Sequence, residues 1–346
     1  MNENFENIKN RSELLFIYDV TDANPNGDVD ENRPRIDDET GVNIVTDVRL
    51  KRTIRDYLYN FKKIEIFVRE IEYEPGKIQD AKLRAEDFLF IRGENKEIKK
   101  INKEEIKEKF RDENKCLNKM KEIVKNNILN ECIDVRLFGC TLPIELDNKH
   151  KSSITFTGPV QFKFGRSLHR VSEKFIKGTG AFASGKEAGQ KTFREEYVLY
   201  YSLICFYGII NENAAKDTHL TENDVELLLE AIWNGTKNLI TRSKIGQIPR
   251  LLLQVIYKEG NYHIGELDRR IKLVSEKRDE EIRRIDEVKL DITQLIEVLN
   301  KNKDKIEKIR YKIDNYLTLI RDKDIVDFRD CLDKIQIEEI NFSENT

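Results

Sequence analysis

The chain has 346 residues, 36% of them charged, room for one large domain or two smaller ones. Lys and Arg total 61 against 64 Asp and Glu, a net charge of −3, so any positive surface for a polyanion has to be gathered locally. The longest apolar stretch, Tyr197 to Ile210, is shorter than the ~20 residues of a membrane span. Met1 to Glu13 is polar, so no signal peptide is expected. Five widely spaced cysteines (Cys116, Cys132, Cys140, Cys205, Cys331) form no CxxC pair, which predicts a reduced, cytoplasmic protein. The four histidines follow no ligand spacing, and no cofactor is indicated.

In chain order, the apolar and aromatic run Leu14–Val20 predicts a buried strand. A turn-rich segment dense in Asp, Asn, Pro and Gly follows, TDANPNGDVDENRPRIDDETG. Val48, Ile54 and Leu58 then recur at helical spacing over Thr46–Asn60. The charge-rich segment 62–149 reads as a mostly helical insertion with a solvated face. Ser153–Phe164 alternates and reads as a strand, bent at Gly158-Pro159. Gly165 to Arg194 is a glycine-rich basic loop. Tyr197–Ile210 is a buried strand, Leu220–Thr241 an amphipathic helix capped at Thr221, and Ile248–Tyr257 another strand. Without the insertions the order is β-α-β-β-α-β, the ferredoxin-like arrangement shared by RRM domains. In 261–346, Ile271, Ile285, Ile292, Leu299, Ile306, Ile313 and Ile320 share one heptad position, which predicts a mostly helical region.

Three segments can carry chemistry. Asp22–Arg33 nearly matches a calcium loop, but Arg33 stands where the bidentate Glu belongs. Its acids Asp22, Asp28 and Asp30 are instead candidates to hold Mg²⁺ for phosphodiester cleavage, against the plainer reading of a solvated turn. Lys151 to Arg194 carries nine cations and two acids, +7, while the rest of the chain carries −10. Phe175, Phe182 and Phe193 interleave with these cations, as single-stranded nucleic-acid binding requires. The third is the helix after the acidic turn, where Arg49, Lys51, Arg52 and Arg55 cluster.

The run Asp19 to Leu58, with ANPNGD, PRIDDETG and VTDVRLKRTIRDYL, resembles the N-terminal signature of the crRNA-binding backbone subunit of type I CRISPR Cascade complexes. It is most similar to the subtype I-B form, with the I-C form very close. DVRLFG (Asp134–Gly139), ITFTGPVQF (Ile154–Phe162), KGTGAFASGK and TRSKIGQIPRLLL resemble it too. The resemblance implies an α+β fold: an RRM-like palm from 1–61 and 150–260, a helical fingers insertion at 62–149 and a thumb-like loop at 166–194. It implies a non-catalytic scaffold that polymerises head to tail along the guide RNA. The expected partners are crRNA, target DNA through the guide, copies of the chain and other Cascade subunits. Carried onto this sequence, the palm residues expected near RNA phosphates are Asn24, Asn26, Arg33, Arg35, Lys51, Arg52 and Arg55. The web and thumb add Arg136, Lys163, Arg166, Lys177, Gly178, Thr179, Phe182, Lys186 and Arg242. The opposing expectation is a metal-dependent ribonuclease using the Asp22–Asp30 loop.

Overall fold

The computed structural model describes residues 6–93, 97–110, 112–179 and 193–342. Its main elements are strand β1 (Ser12–Ala23), strand β2 (Val42–Val45), helix α1 (Asp47–Asn60), helix α2 (Glu113–Glu131), and strands β3 (Gly139–Glu145), β4 (Lys151–Thr157), β5 (Gly165–Arg170), β6 (Glu173–Thr179) and β7 (Phe193–Ile210). Helix α3 (Glu222–Lys237), strand β8 (Ile248–Tyr257), helix α4 (Thr293–Lys301) and strands β9 (Ile306–Ile313) and β10 (Gln336–Glu339) complete the chain. The chain divides into two compact units. One comprises 10–54, 162–210 and 230–346, the other 1–9, 55–161 and 211–229.

The first unit holds the main sheet, ordered β10-β9-β8-β1-β7-β5-β2, with β6 also paired to β7. These pairs are antiparallel except β9 with β10. β1 is central, and its residues Ser12 to Val20 are all buried, which explains its unbroken apolar run. Two acids inside it are fully partnered. Glu13 accepts from the Tyr207 and Tyr257 hydroxyls and from the amides of Ile264 (2.9 Å) and Gly265 (2.8 Å). Asp19 meets Arg250 at 3.0 Å and the Tyr201 hydroxyl at 3.1 Å. Burial pushes the Asp19 carboxyl up despite that arginine.

One sheet face, carrying Leu15, Ile17, Tyr201, Leu203, Leu251 and Leu253, is packed with residues of 261–346, among them Leu267, Ile285, Leu290, Leu295 and Leu299. The expected mostly helical C-terminal region is therefore corrected. Its described residues contain one nine-residue α-helix, α4, together with 3-10 turns and short strands, and β9 and β10 extend the sheet. The heptad-spaced Ile271, Ile285, Ile292, Leu299 and Ile306 are buried as expected, but against a sheet. A sheet-covering layer needs apolar anchors at intervals, not a helical stripe.

Two further expectations change. Ser153–Phe164 is not one continuous strand: β4 pairs along its length with β3 as a separate two-stranded sheet, while after the bend the short strand Val160–Phe162 pairs with β7 in the main sheet, followed there by β5. Backbone meets backbone at the bend, where a Cβ on Gly158 would lie 2.0 Å from the Phe138 carbonyl carbon. The glycine-rich segment from Gly165 is not a loop through Thr179, because it forms β5 and β6.

In the second unit, α2 packs in a core with Phe67, Phe88, Leu89, Leu142, Ile154 and Phe156. The insertion 62–149 holds four helices among its described residues, and also two small hairpins, Glu72–Glu74 with Lys77–Ile78 and Phe90–Arg92 with Ile98–Lys100.

Candidate nucleic-acid interface

The turn-rich loop after β1 is held by its own amides. Asn24 is buried: its backbone N–H donates to Ser243 O (2.7 Å) and its side chain to Asn32 O (2.6 Å). The Asn26 side-chain oxygen accepts from both the amide and the hydroxyl of Thr46, each at 2.9 Å, tying the loop to the start of α1. Asp28 accepts from the amides of Glu31 (3.1 Å) and Arg33 (3.0 Å). Asn24 and Asn26, expected beside RNA, shape the loop through these bonds, substituting for backbone in turns. Asp28 is spent in the same way.

This loop presents Arg33. Its guanidinium pairs with Glu173 of β6 and lies 4.9 Å over the Tyr197 ring. Tyr197 opposes Phe175 across the β6–β7 pairing, ring centroids 4.7 Å apart. Lys177 lies 5.2 Å from the Phe175 ring. Arg33 and Lys177 therefore flank the adjacent rings of Tyr197 and Phe175, a cation at each end of an aromatic pair. Gly178 and Thr179 continue β6, opposite Arg194 and Phe193.

A second basic edge runs along β5. Lys163, Phe164, Arg166, Asp268 and Arg269 line an open cleft of about 610 Å³, with Phe164 exposed. Lys163 meets Asp268 at 2.9 Å, and Arg166 meets Asp37 at 3.7 Å. On α1, Lys51 pairs with Asp47 at 3.0 Å and is largely covered, while Arg52 is exposed. Arg35 is half-buried. Arg242 reaches Glu196 at 3.6 Å. Its neighbour Lys244, which sequence reasoning missed, donates to Asn24 O at 3.0 Å. Burial, with help from Arg49, pushes its amine down. Lys244 lies within the TRSKIGQ run, where spacing does not separate a loop strut from a surface cation.

Exposure separates the cations by job. Side chains of Arg33, Lys163, Arg166, Lys177 and Arg242 are 44, 49, 55, 67 and 60% exposed, each beside one acid. The Lys177–Glu195 pair is exposed at both ends and of a kind that contributes only ~0–1 kcal/mol; the other four cations present exposed guanidinium or ammonium groups beside more covered acids. In the second unit, by contrast, Arg55 is 13% exposed and meets fully buried Asp134 at 2.9 Å. Asp134 also accepts from the amides of Phe67 (2.8 Å) and Val68 (3.1 Å). Arg136 grips Asp224 with two hydrogen bonds, 2.9 and 2.7 Å, and donates to Leu129 O at 2.8 Å. Of the two arginines expected at RNA, Arg136 spends the donors of all three of its nitrogens inside the fold, and Arg55 spends its Nε–H on Asp134.

Phe182 and Lys186, and the side chain of Thr179, lie outside the described residues. The sheet face carrying Leu15, Tyr201 and Leu253 is filled by the C-terminal segment, while Phe164 and Phe175 are exposed away from that core. Among the described residues, Asp22, Asp28 and Asp30 join no group of three ligand side chains close enough to share an ion. No described helix is long and apolar enough to cross a membrane.

Comparison with known proteins bears on these features. A family model described as CRISPR-associated protein Cas7 matches residues 10–293. A CRISPR-associated protein Cas7 of Haloferax volcanii is 34% identical over 326 residues, covering 90% of this chain and 88% of that protein. A solved chain of a "CRISPR RNA-guided surveillance complex, pre-nicking" aligns with a TM-score of 0.55 at 14% identity, over 96% of each chain. It shares the fold.

Proposed function

The chain belongs to the CRISPR-associated protein Cas7 family, and from that premise we propose that it is a non-catalytic scaffold that binds crRNA. The observation that carries this reading is the set of five exposed cations, each beside one acid. They stand on the loop, arm and edge of one unit beside the exposed rings of Phe164 and Phe175. Such cations release counterions on meeting phosphates, and aromatics stack on bases without regard to sequence. A scaffold for any guide needs that combination, because pairing and not protein reads the target.

In this reading the sheet with β8-β1-β7-β5 in that order is an RRM-like palm, and the β6–β7 arm with 180–192 is a thumb. Arg33, Arg35, Arg52, Lys163, Arg166, Lys177 and Arg242 contact phosphates, with Lys51 in support. Gly178, Thr179, Phe182 and Lys186 complete the thumb contact. Copies stack head to tail along a guide in a type I complex, subtype I-B, beside other Cascade subunits, leaving the guide free to pair with target DNA. A contact that does not close on itself builds a filament. The competing ribonuclease reading is tested by incubating the chain with labelled crRNA in Mg²⁺ and in EDTA. The scaffold leaves the RNA intact in both; cleavage lost in EDTA and in Asp28→Ala refutes it.

A further inference from the structure

A cluster outside the RNA surface combines three metal-ligating side chains. Asp147 and His150 sit in the turn between β3 and β4, and Glu113 is the first residue of α2. One ligand atom from each lies within 4.8 Å of the others. All three belong to the second unit.

The turn fixes Asp147. Its Oδ1 accepts from the amides of Lys149 and His150, both at 2.9 Å, and from His150 Nδ1 at 2.9 Å. A carboxylate receiving Nδ1–H leaves the Nε2 lone pair as the ring's outward ligand and increases its basicity. That Nε2 lies 3.0 Å from Glu113 Oε2. Two acceptors do not attract each other at that distance, so a positive species belongs between them. It is either a second ring proton or a metal ion.

The geometry points to a divalent transition-metal site in which His150 Nε2 and Glu113 Oε2 are ligands and Asp147 orients the imidazole. Two bonds of ~2.1 Å whose far ends are 3.0 Å apart meet at about 90°, the angle between adjacent ligands of a six-coordinate ion. An imidazole with a carboxylate favours nickel, cobalt or zinc over magnesium or calcium. The right angle favours the first two over tetrahedral zinc. The Glu113 side chain is 57% exposed, so water completes the coordination and the ion exchanges with solvent. Lys107, 3.7 Å from Asp147 Oδ2, lies beside the orienting carboxylate. The bound ion staples the start of α2 to the β3–β4 turn.

The test titrates metal-free full-length chain with NiCl₂ by calorimetry and follows thermal unfolding with and without nickel. Wild type is expected to bind one saturable equivalent more than His150→Gln and to gain melting temperature that this variant does not. Glu113→Gln, a change at an exposed position that leaves the fold intact, should weaken the same equivalent. Asp147→Asn should weaken it ~10–100-fold, as loss of an orienting partner does. Equal nickel stoichiometry and affinity in wild type, His150→Gln and Glu113→Gln overturn the site, leaving exposed His219 and His263 as the binders. Absence of any nickel binding by the wild-type chain also overturns it and assigns the bridge to a proton.

Discussion

Replacing Arg166 and Lys177 together by alanine separates RNA contact from folding. Both side chains are more than half exposed, Arg166 at 3.7 Å from Asp37 and Lys177 at 3.2 Å from Glu195. Removing such pairs costs little stability, since exposed ion pairs contribute ~0–1 kcal/mol each. If each cation neutralises one phosphate of single-stranded RNA, each accounts for a slope of ~0.7 in log affinity against log salt. The double variant should therefore lose about 1.4 from the slope per bound chain. At about 0.15 M salt the same release corresponds to about 0.8 kcal/mol per contact, so affinity should fall roughly 15-fold. Fluorescence anisotropy with labelled crRNA between 50 and 400 mM salt measures both quantities, with urea unfolding as the control. An unchanged slope with an unchanged urea midpoint removes both residues from the interface and refutes the assignment by exposure.

Arg136→Ala should act the other way. It strands Asp224, whose side chain is 3% exposed, and should cost about 3–5 kcal/mol in urea unfolding while leaving the salt slope intact; a reduced slope would return Arg136 to the RNA. Phe175→Ala should weaken crRNA binding by about 1–3 kcal/mol, the worth of one stacked base, at unchanged slope. Equal affinity in the variant would show that Phe175 only packs on Tyr197. His169 is buried, with Nδ1 donating to Arg170 O at 2.7 Å, and burial holds its ring below the ordinary histidine range. The neutral ring stabilises the fold fully above pH ~6.5, and that contribution is lost as pH falls further, because the unfolded ring takes up a proton that the folded one resists. His169→Gln should therefore flatten the decline of the urea midpoint between pH 7 and 5; an identical decline would mean other groups cause it.

Much of the main sheet is legible in sequence because its strands are apolar runs. β1, β7 and β8 fall where those runs lie, and α1 and α3 follow from their spacing. The C-terminal layer is not legible, since isoleucines seven apart suit a coiled coil and a sheet cover equally. β5 and β6 resist reading because glycines and cations mimic a loop, while in β5 Arg166 and Arg170 alternate outward around buried Ser167 and His169. The roles of Arg55 and Arg136 depend on acids 79 and 88 residues away, a distance at which no local pattern signals a pair. Asn24 and Asn26 show the reverse problem. The motif that marks the family is visible at once, yet its asparagines build the loop that presents Arg33.

Native mass spectrometry of the purified chain with a single crRNA tests the central claim most directly. The account predicts a ladder of complexes, each step heavier by one 40.8 kDa chain, on an RNA whose own mass stays unchanged in Mg²⁺. A chain that never gains RNA, or an RNA that returns shortened, would contradict it.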